Sequence, residues 1–219
     1  MSFSNTPREI TSEIAAFCGK IVAGGLPEFL TINSVHGAKA LDCFPVVEEH
    51  VRRNGGSSCL GWRIWEWPGV LLEAEFHAVW RDAAGQLHDI SPPPTAGAKR
   101  VLFLADPNAT YHGRQVASIR QALSDDPNVA LLIDAWDREF EFMNRGDRAN
   151  QHGEIVIEGD ERDELQEIQR QKLDAMMALA ASTSKSIDGV GAKPPLTLED
   201  ARRARNRRKK QRQRSKGKR

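Results

Sequence analysis

Ile10, Ile14, Phe17, Cys18, Ile21 and Val22 recur at helical spacing near the start of the chain. Thr6-Pro7-Arg8-Glu9 precedes them. Thr6 can accept from a backbone N–H in the first turn, Glu9 can reach back, and proline suits the first helical position, so this tetrapeptide predicts a helix start. Gly24-Gly25 predicts its stop. Cys18 falls on the apolar face and reads as core packing. Residues 29–32 predict a short strand. A second helix is expected from Asp42-Cys43-Phe44-Pro45, with Val46, Val47 and Val51 inward and Asn54-Gly55-Gly56 as its stop. Proline is tolerated only in a first turn, which places Cys43 at the helix N-terminus.

Strand patterns dominate next. Residues 59–67 and 70–80 predict two strands about the Pro68-Gly69 turn. Residues 82–86, with Gly85, connect the second of these to a third strand at 87–90, and 101–104 predict one more. After Asp106-Pro107-Asn108 the chain is expected to turn helical. Asp126-Pro127-Asn128 starts a helix running to Asn144, with Val129, Leu132, Ile133, Trp136, Phe140 and Met143 on one side and Gly146 after its end. Residues 160–181 predict a charged helix whose apolar stripe (Leu165, Ile168, Leu173, Met176, Met177) is too thin for a secure coiled coil. Residues 182–195 read as a Ser/Gly/Pro-rich linker.

Charge divides the chain. The net +1 conceals a segment, 202–219, with 12 Lys and Arg and no acid, leaving 19 basic against 30 acidic residues elsewhere. An acidic body with a basic tail is the result. Such a tail neutralises phosphates and releases counterions, so nucleic acid, the acidic body itself or a membrane surface are its candidate partners. It interleaves no aromatic residue, so base stacking is not indicated. No apolar run approaches the roughly 18 residues of a membrane span. Residues 1–6 lack the pattern of a secretory signal, and a cytoplasmic location is expected. Three cysteines (Cys18, Cys43, Cys59) without CxxC spacing argue against a disulfide framework and a Cys-rich zinc site. The glycine pairs stop helices rather than start them, so no phosphate-cradling loop is present.

Candidate chemistry centres on Cys43, His77 and Asp89. A thiol with a reference pKa of about 8.5 is mostly protonated at neutral pH, and a helix N-terminus together with a nearby imidazolium favours the thiolate. Histidine takes and returns the proton, and a carboxylate fixes its tautomer. His77 lies in a predicted strand and Asp89 in the next, 12 residues on. A hairpin between them can bring the two together. The free amides at the helix start can also stabilise an oxyanion. The bland alternative is a buried small cysteine and a hydrogen-bonded core histidine.

This order of groups resembles the papain-like superfamily, including its transglutaminase-like branch, where a helix-borne cysteine precedes a strand-borne histidine and then an aspartate. His77-Ala78-Val79-Trp80 and Asp89-Ile90-Ser91-Pro92 resemble the His-Ala-x and Asp-Pro-Thr motifs of that branch. The His-to-Asp interval is shorter here, and Ile90 stands where the motif has proline. The nucleophile region lacks the aromatic and Gly/Ser surroundings of papain itself. More closely, the chain resembles an uncharacterised bacterial and phage family through Cys43-Phe44-Pro45-Val46-Val47, Gly55-Gly56, the Gly61-Trp62-Arg63-Ile64-Trp65-Glu66-Trp67-Pro68-Gly69-Val70 run, and Glu73-Ala74-Glu75-Phe76-His77-Ala78-Val79-Trp80. Asp106-Pro107 and Tyr111-His112-Gly113-Arg114-Gln115-Val116 extend the likeness, which covers roughly residues 40–145. Some relatives end in a Cys-rich metal-binding tail, where this chain has basic residues. The resemblance implies the domain more than the reaction.

Other candidates are weaker. Glu73, Glu75 and His77 alternate and so share a face. Three ligands are few for a metal site, and Glu75 beside His77 is instead a candidate substrate contact. Trp62, Trp65, Trp67 and Trp80 can wall a groove or fill the core. Alternation separates Trp62 from Trp65 and Trp67, and Trp62 is the candidate substrate contact. Asn33 and His36 are candidates for an oxyanion donor, and Cys59 for packing.

Together these readings predict an α+β, papain-like domain over residues 1–146, a small antiparallel sheet packed on an N-terminal helical part. A charged helical extension (147–181), a linker (182–195) and a basic tail (196–219) follow. The expected function is a cysteine hydrolase or acyltransferase acting on an amide, isopeptide or thioester bond of a peptide or acyl substrate, with no cofactor. The alternative is a non-catalytic adaptor that contacts nucleic acid through residues 202–219.

Overall fold

The structure, a computed structural model, describes residues 4–38, 42–93, 95, 97–150 and 156–189, without the side chains of 150 and 183–189. The end of the expected linker and the basic tail lie outside the described residues. Two compact units divide the chain, Met1–Met176 and Met177–Arg219. The first holds an α+β fold and keeps most of the charged extension with it. The described part of the second is the C-terminal end of one helix.

Helix α1 (Ser12–Ile21) is followed by β1 (Glu28–Thr31) and by α2 (Cys43–Asn54). Then come β2 (Ser57–Trp67), β3 (Leu71–Arg81), β4 (Leu87–His88), β5 (Arg100–Ala105) and β6 (Ile119–Ala122). Helices α3 (Pro127–Met143) and α4 (Asp160–Gly189) complete the described elements, with a 3₁₀ turn at Gly146–Asn150 between them. No helix among the described residues is long and apolar enough to cross a membrane.

All ladders of the sheet are antiparallel, in the order β1-β5-β2-β3-β4. The β2–β3 hairpin is its spine, paired from Ser57↔Arg81 to Trp67↔Leu71. β6 joins the outer edge of β3 at Leu71 to Ala74, and β4 joins it at Trp80 and Arg81. Residues 75–79 therefore have no ladder on that edge among the described residues. An isolated parallel bridge, Ile32↔Asp89, links the far ends of the sheet and curls it toward closure.

Each sheet face buries its own set of side chains. Trp62, Ile64, Leu72, Ala74, Phe76, Leu102 and Leu104 pack with Ile14, Phe17 and Cys18 of α1. Leu30, Cys59, Val79, Val101 and Phe103 fill the inside of the curl. Val47 of α2 packs on Ala78 and Ile90, which seats this helix against β3.

Three local expectations need correction. The first helix starts at Ser12, capped by Thr11, whose side chain accepts from the Ile14 amide. The Thr6 segment is drawn elsewhere: Asn5 bridges Glu66, and the Thr6 hydroxyl donates to the Arg100 carbonyl. Residues 109–118 are not helical. The Asp106 carboxylate caps a turn at Asn108, and the chain then supplies β6 to the free edge of β3. Finally, α4 continues to Gly189, through the first part of the expected linker.

Candidate active site

Cys43 opens α2, as its proline-containing first turn requires. Pro45 has no N–H to lose there, and the Val46 amide is already satisfied by the Asp42 carbonyl. Asp42, the N-cap residue, makes no side-chain capping bond.

His77 sits at the middle of the β3 stretch whose outer edge is open. Its neighbours alternate, so Glu73, Glu75, His77 and Val79 share one face of the strand. Asp89 reaches His77 by leaving the hairpin. The β3–β4 ladder ends at Trp80↔His88, and the next residue bridges to Ile32 while its carbonyl accepts from the Asn33 amide at 2.7 Å. The Asp89 carboxylate then points back to the ring. His77 Nε2 and Asp89 Oδ2 are 3.1 Å apart, and both residues are 1 % exposed.

An ionised carboxylate only accepts, so Nε2 carries the hydrogen and donates to Asp89. The remaining ring nitrogen, Nδ1, is left for Cys43, which lines the same cavity as His77. Burial alone disfavours the imidazolium. The bond to Asp89 and the nearby Cys43 side chain outweigh it, Arg63 opposes them, and the net result raises His77 to about 9. Asp89 moves the other way: burial penalises its charge, but His77 and the Ser91 amide hold it below the usual carboxylate range. The remaining thiols have other surroundings. Burial pushes Cys18 up to about 11, which keeps it protonated, and Cys59 lies 3.3 Å from an Arg81 nitrogen.

A cavity of about 420 Å³ opens on Cys43 and His77. Phe44, Phe76, Pro92 and Phe140 give it apolar walls, and Arg63, Glu75 and Ser91 give it polar ones. Arg63 stands directly opposite Glu75 in the β2–β3 ladder. Its Nε and Nη2 both donate to Glu75 Oε2, at 3.2 and 2.9 Å, and the Trp65 indole N–H donates to the same oxygen at 2.7 Å. A second cavity of about 290 Å³ shares Trp65, Glu75 and Ser118 with the first and continues to Trp67, Glu73 and Trp136.

Cys43, His77, Asp89 and Glu75 therefore converge. Trp62 does not join them: it packs on the α1 side of the sheet and donates its indole N–H to Asp106 at 3.1 Å. Trp65 takes the place expected of it. Asn33 and His36 are exposed and do not line the cavity. Glu73 is engaged by Arg120 at 2.7 Å, and no group of three or more metal-ligating side chains occurs among the described residues. Sequence reasoning missed Arg63 and Ser91. Hairpin arithmetic about Pro68-Gly69 would have found the first, since it sets Arg63 against Glu75.

No family model, curated protein or solved structure matches this chain, so its functional reading rests on the geometry.

Proposed function

We propose that the chain is a papain-like cysteine hydrolase or acyltransferase that attacks an amide, isopeptide or thioester carbonyl. The observation that carries this is the line Cys43–His77–Asp89, buried at its far end and open to a cavity at the thiol. With the proton already resting on His77 Nδ1, the Cys43 thiolate forms a bond to the carbonyl carbon, whose π pair moves onto oxygen. The imidazolium returns that proton to the departing nitrogen or sulfur, leaving a thioester on Cys43. Water or a second nucleophile then gives its proton to His77 and takes the acyl group. Asp89 keeps the ring oriented and its charge supported.

A histidine raised to about 9 holds its proton at neutral pH, the state that supports a thiolate beside it and serves a leaving group. Glu75, held by Arg63 and Trp65, forms a rigid polar wall for the bound substrate. The second cavity beyond Trp65 gives a longer substrate room to continue.

Treatment with p-nitrophenyl acetate tests this reading. One acetyl group is expected on Cys43 by peptide mass analysis, with a nitrophenolate burst, and both should vanish in His77→Ala. Acetylation spread over Cys18 and Cys59, or none at Cys43, would contradict it.

A further inference from the structure

We propose that the Ser91 hydroxyl is the group that binds the substrate's carbonyl oxygen, donating to it as it becomes an oxyanion. The proposal rests on the reading of Cys43 as nucleophile. Ser91 is 4 % exposed, and its buried Oγ has no hydrogen-bond partner among the described residues. Leaving a hydroxyl in that state forfeits its hydrogen bonds to water without replacement, so it requires a reason.

The rest of Ser91 is fully engaged. Its amide donates to Asp89 Oδ1 at 3.0 Å, and its carbonyl accepts from the Ser34 hydroxyl at 2.7 Å. The residue is thus fixed to the carboxylate that orients His77, and it lines the cavity shared with Cys43 and His77. A ligand oxygen in that cavity is the partner this hydroxyl lacks.

The helix supplies little else. Pro45 has no N–H and the Val46 amide is bonded to the Asp42 carbonyl, so at most the amides of Cys43 and Phe44 remain in the first turn. Arg63 turns two of its nitrogens to Glu75. Gln115, which also lines the cavity, is exposed. Among the described residues, the other buried unpartnered atom, Arg120 Nε, belongs to a guanidinium already paired with Glu73 and Asp137.

In the step concerned, the sulfur–carbon bond forms and the carbonyl π pair moves onto oxygen, where the Ser91 O–H meets it. An aldehyde undergoes the same attack but has no leaving group. It stops as a hemithioacetal, its oxygen taking up the proton held by His77. N-acetylglycinal is therefore the probe, its affinity read from protection of Cys43 against iodoacetamide in the full chain. Alkylation itself creates no oxyanion.

Ser91→Ala should weaken N-acetylglycinal about tenfold or more, in line with the loss of one oxyanion donor. It should change unprotected iodoacetamide alkylation less than about twofold. Thermal stability should hold or rise, because no bond is lost. Ser91→Thr, which keeps the hydroxyl, should retain most of the affinity. Unchanged aldehyde affinity in Ser91→Ala, with alkylation of Cys43 still dependent on His77, overturns the role of Ser91 alone. Equal losses in both reactions do the same, since they mark a structural effect. Alkylation of wild-type Cys43 that ignores His77 overturns the underlying reading as well.

Discussion

His77 donates from Nε2 to Asp89 Oδ2 across 3.1 Å, and this bond decides which nitrogen faces the thiol. The partners come from opposite treatments of one sheet edge. His77 stays in β3, whereas Asp89 leaves the ladder one residue after His88 and pairs across the curl with Ile32.

Replacing Asp89 separates orientation from charge. Asp89→Ala leaves His77 buried without its partner and is expected to cost about 3–5 kcal/mol in urea unfolding. Asp89→Asn retains an acceptor but removes the negative charge, so His77 should titrate below about 9, followed by its ring ¹⁵N shifts. A His77 titration that does not move would contradict the assigned bond.

The same pair predicts how stability varies with pH. His77 is raised on folding from 6.5 to about 9, so the folded chain binds the extra proton in that window. Its contribution is complete below about 6.5 and is lost as pH rises through about 9. Asp89, lowered on folding, contributes above the ordinary carboxylate range and loses this as pH falls through its folded value. Urea midpoints should therefore decline on both sides, and His77→Gln should flatten the alkaline limb.

Gly61 faces His77 across the β2–β3 ladder. A Cβ there would lie 2.2 Å from the Leu104 carbonyl oxygen and 2.7 Å from Phe103 Cζ. The backbone oxygen cannot yield, and Phe103 stands edge-on to the His77 ring at 6.4 Å. Gly61→Ala is expected to destabilise by about 3 kcal/mol, the upper end of ordinary overpacking. Gly19→Ala on the exposed face of α1, with nothing within 4 Å, should instead stabilise by up to about 1 kcal/mol. Thermal melts of the two variants check the contrast.

Local chemistry explains what was legible in the sequence. Pro45 and the Asn54-Gly55-Gly56 stop bound α2, and Cys43 falls at its start as expected. The β2–β3 hairpin follows from alternation about Pro68-Gly69. Tertiary competition explains what was not. Thr6-Pro7-Arg8-Glu9 carries a helix start, yet Asn5 is held by Glu66 and the Thr6 hydroxyl by Arg100, so Thr11 caps the helix instead. β6 has little apolar signal of its own. It exists because Leu71 to Ala74 offer an edge, with Arg120 bonded to Glu73. Which tryptophans meet the cavity depended on where α1 packs, and α1 covers the face of Trp62. The convergence of Cys43 and His77 depends on the gap between β4 and β6, which no single strand pattern contains.

The most direct test of the account is the rate of Cys43 alkylation by iodoacetamide across pH, in the full chain and in His77→Ala, with Cys18 and Cys59 replaced by serine in both. The account predicts rapid alkylation of Cys43 near neutral pH and an at least tenfold drop there without His77. Alkylation that follows an ordinary thiol and is indifferent to His77 would contradict a thiol activated by His77 and Asp89.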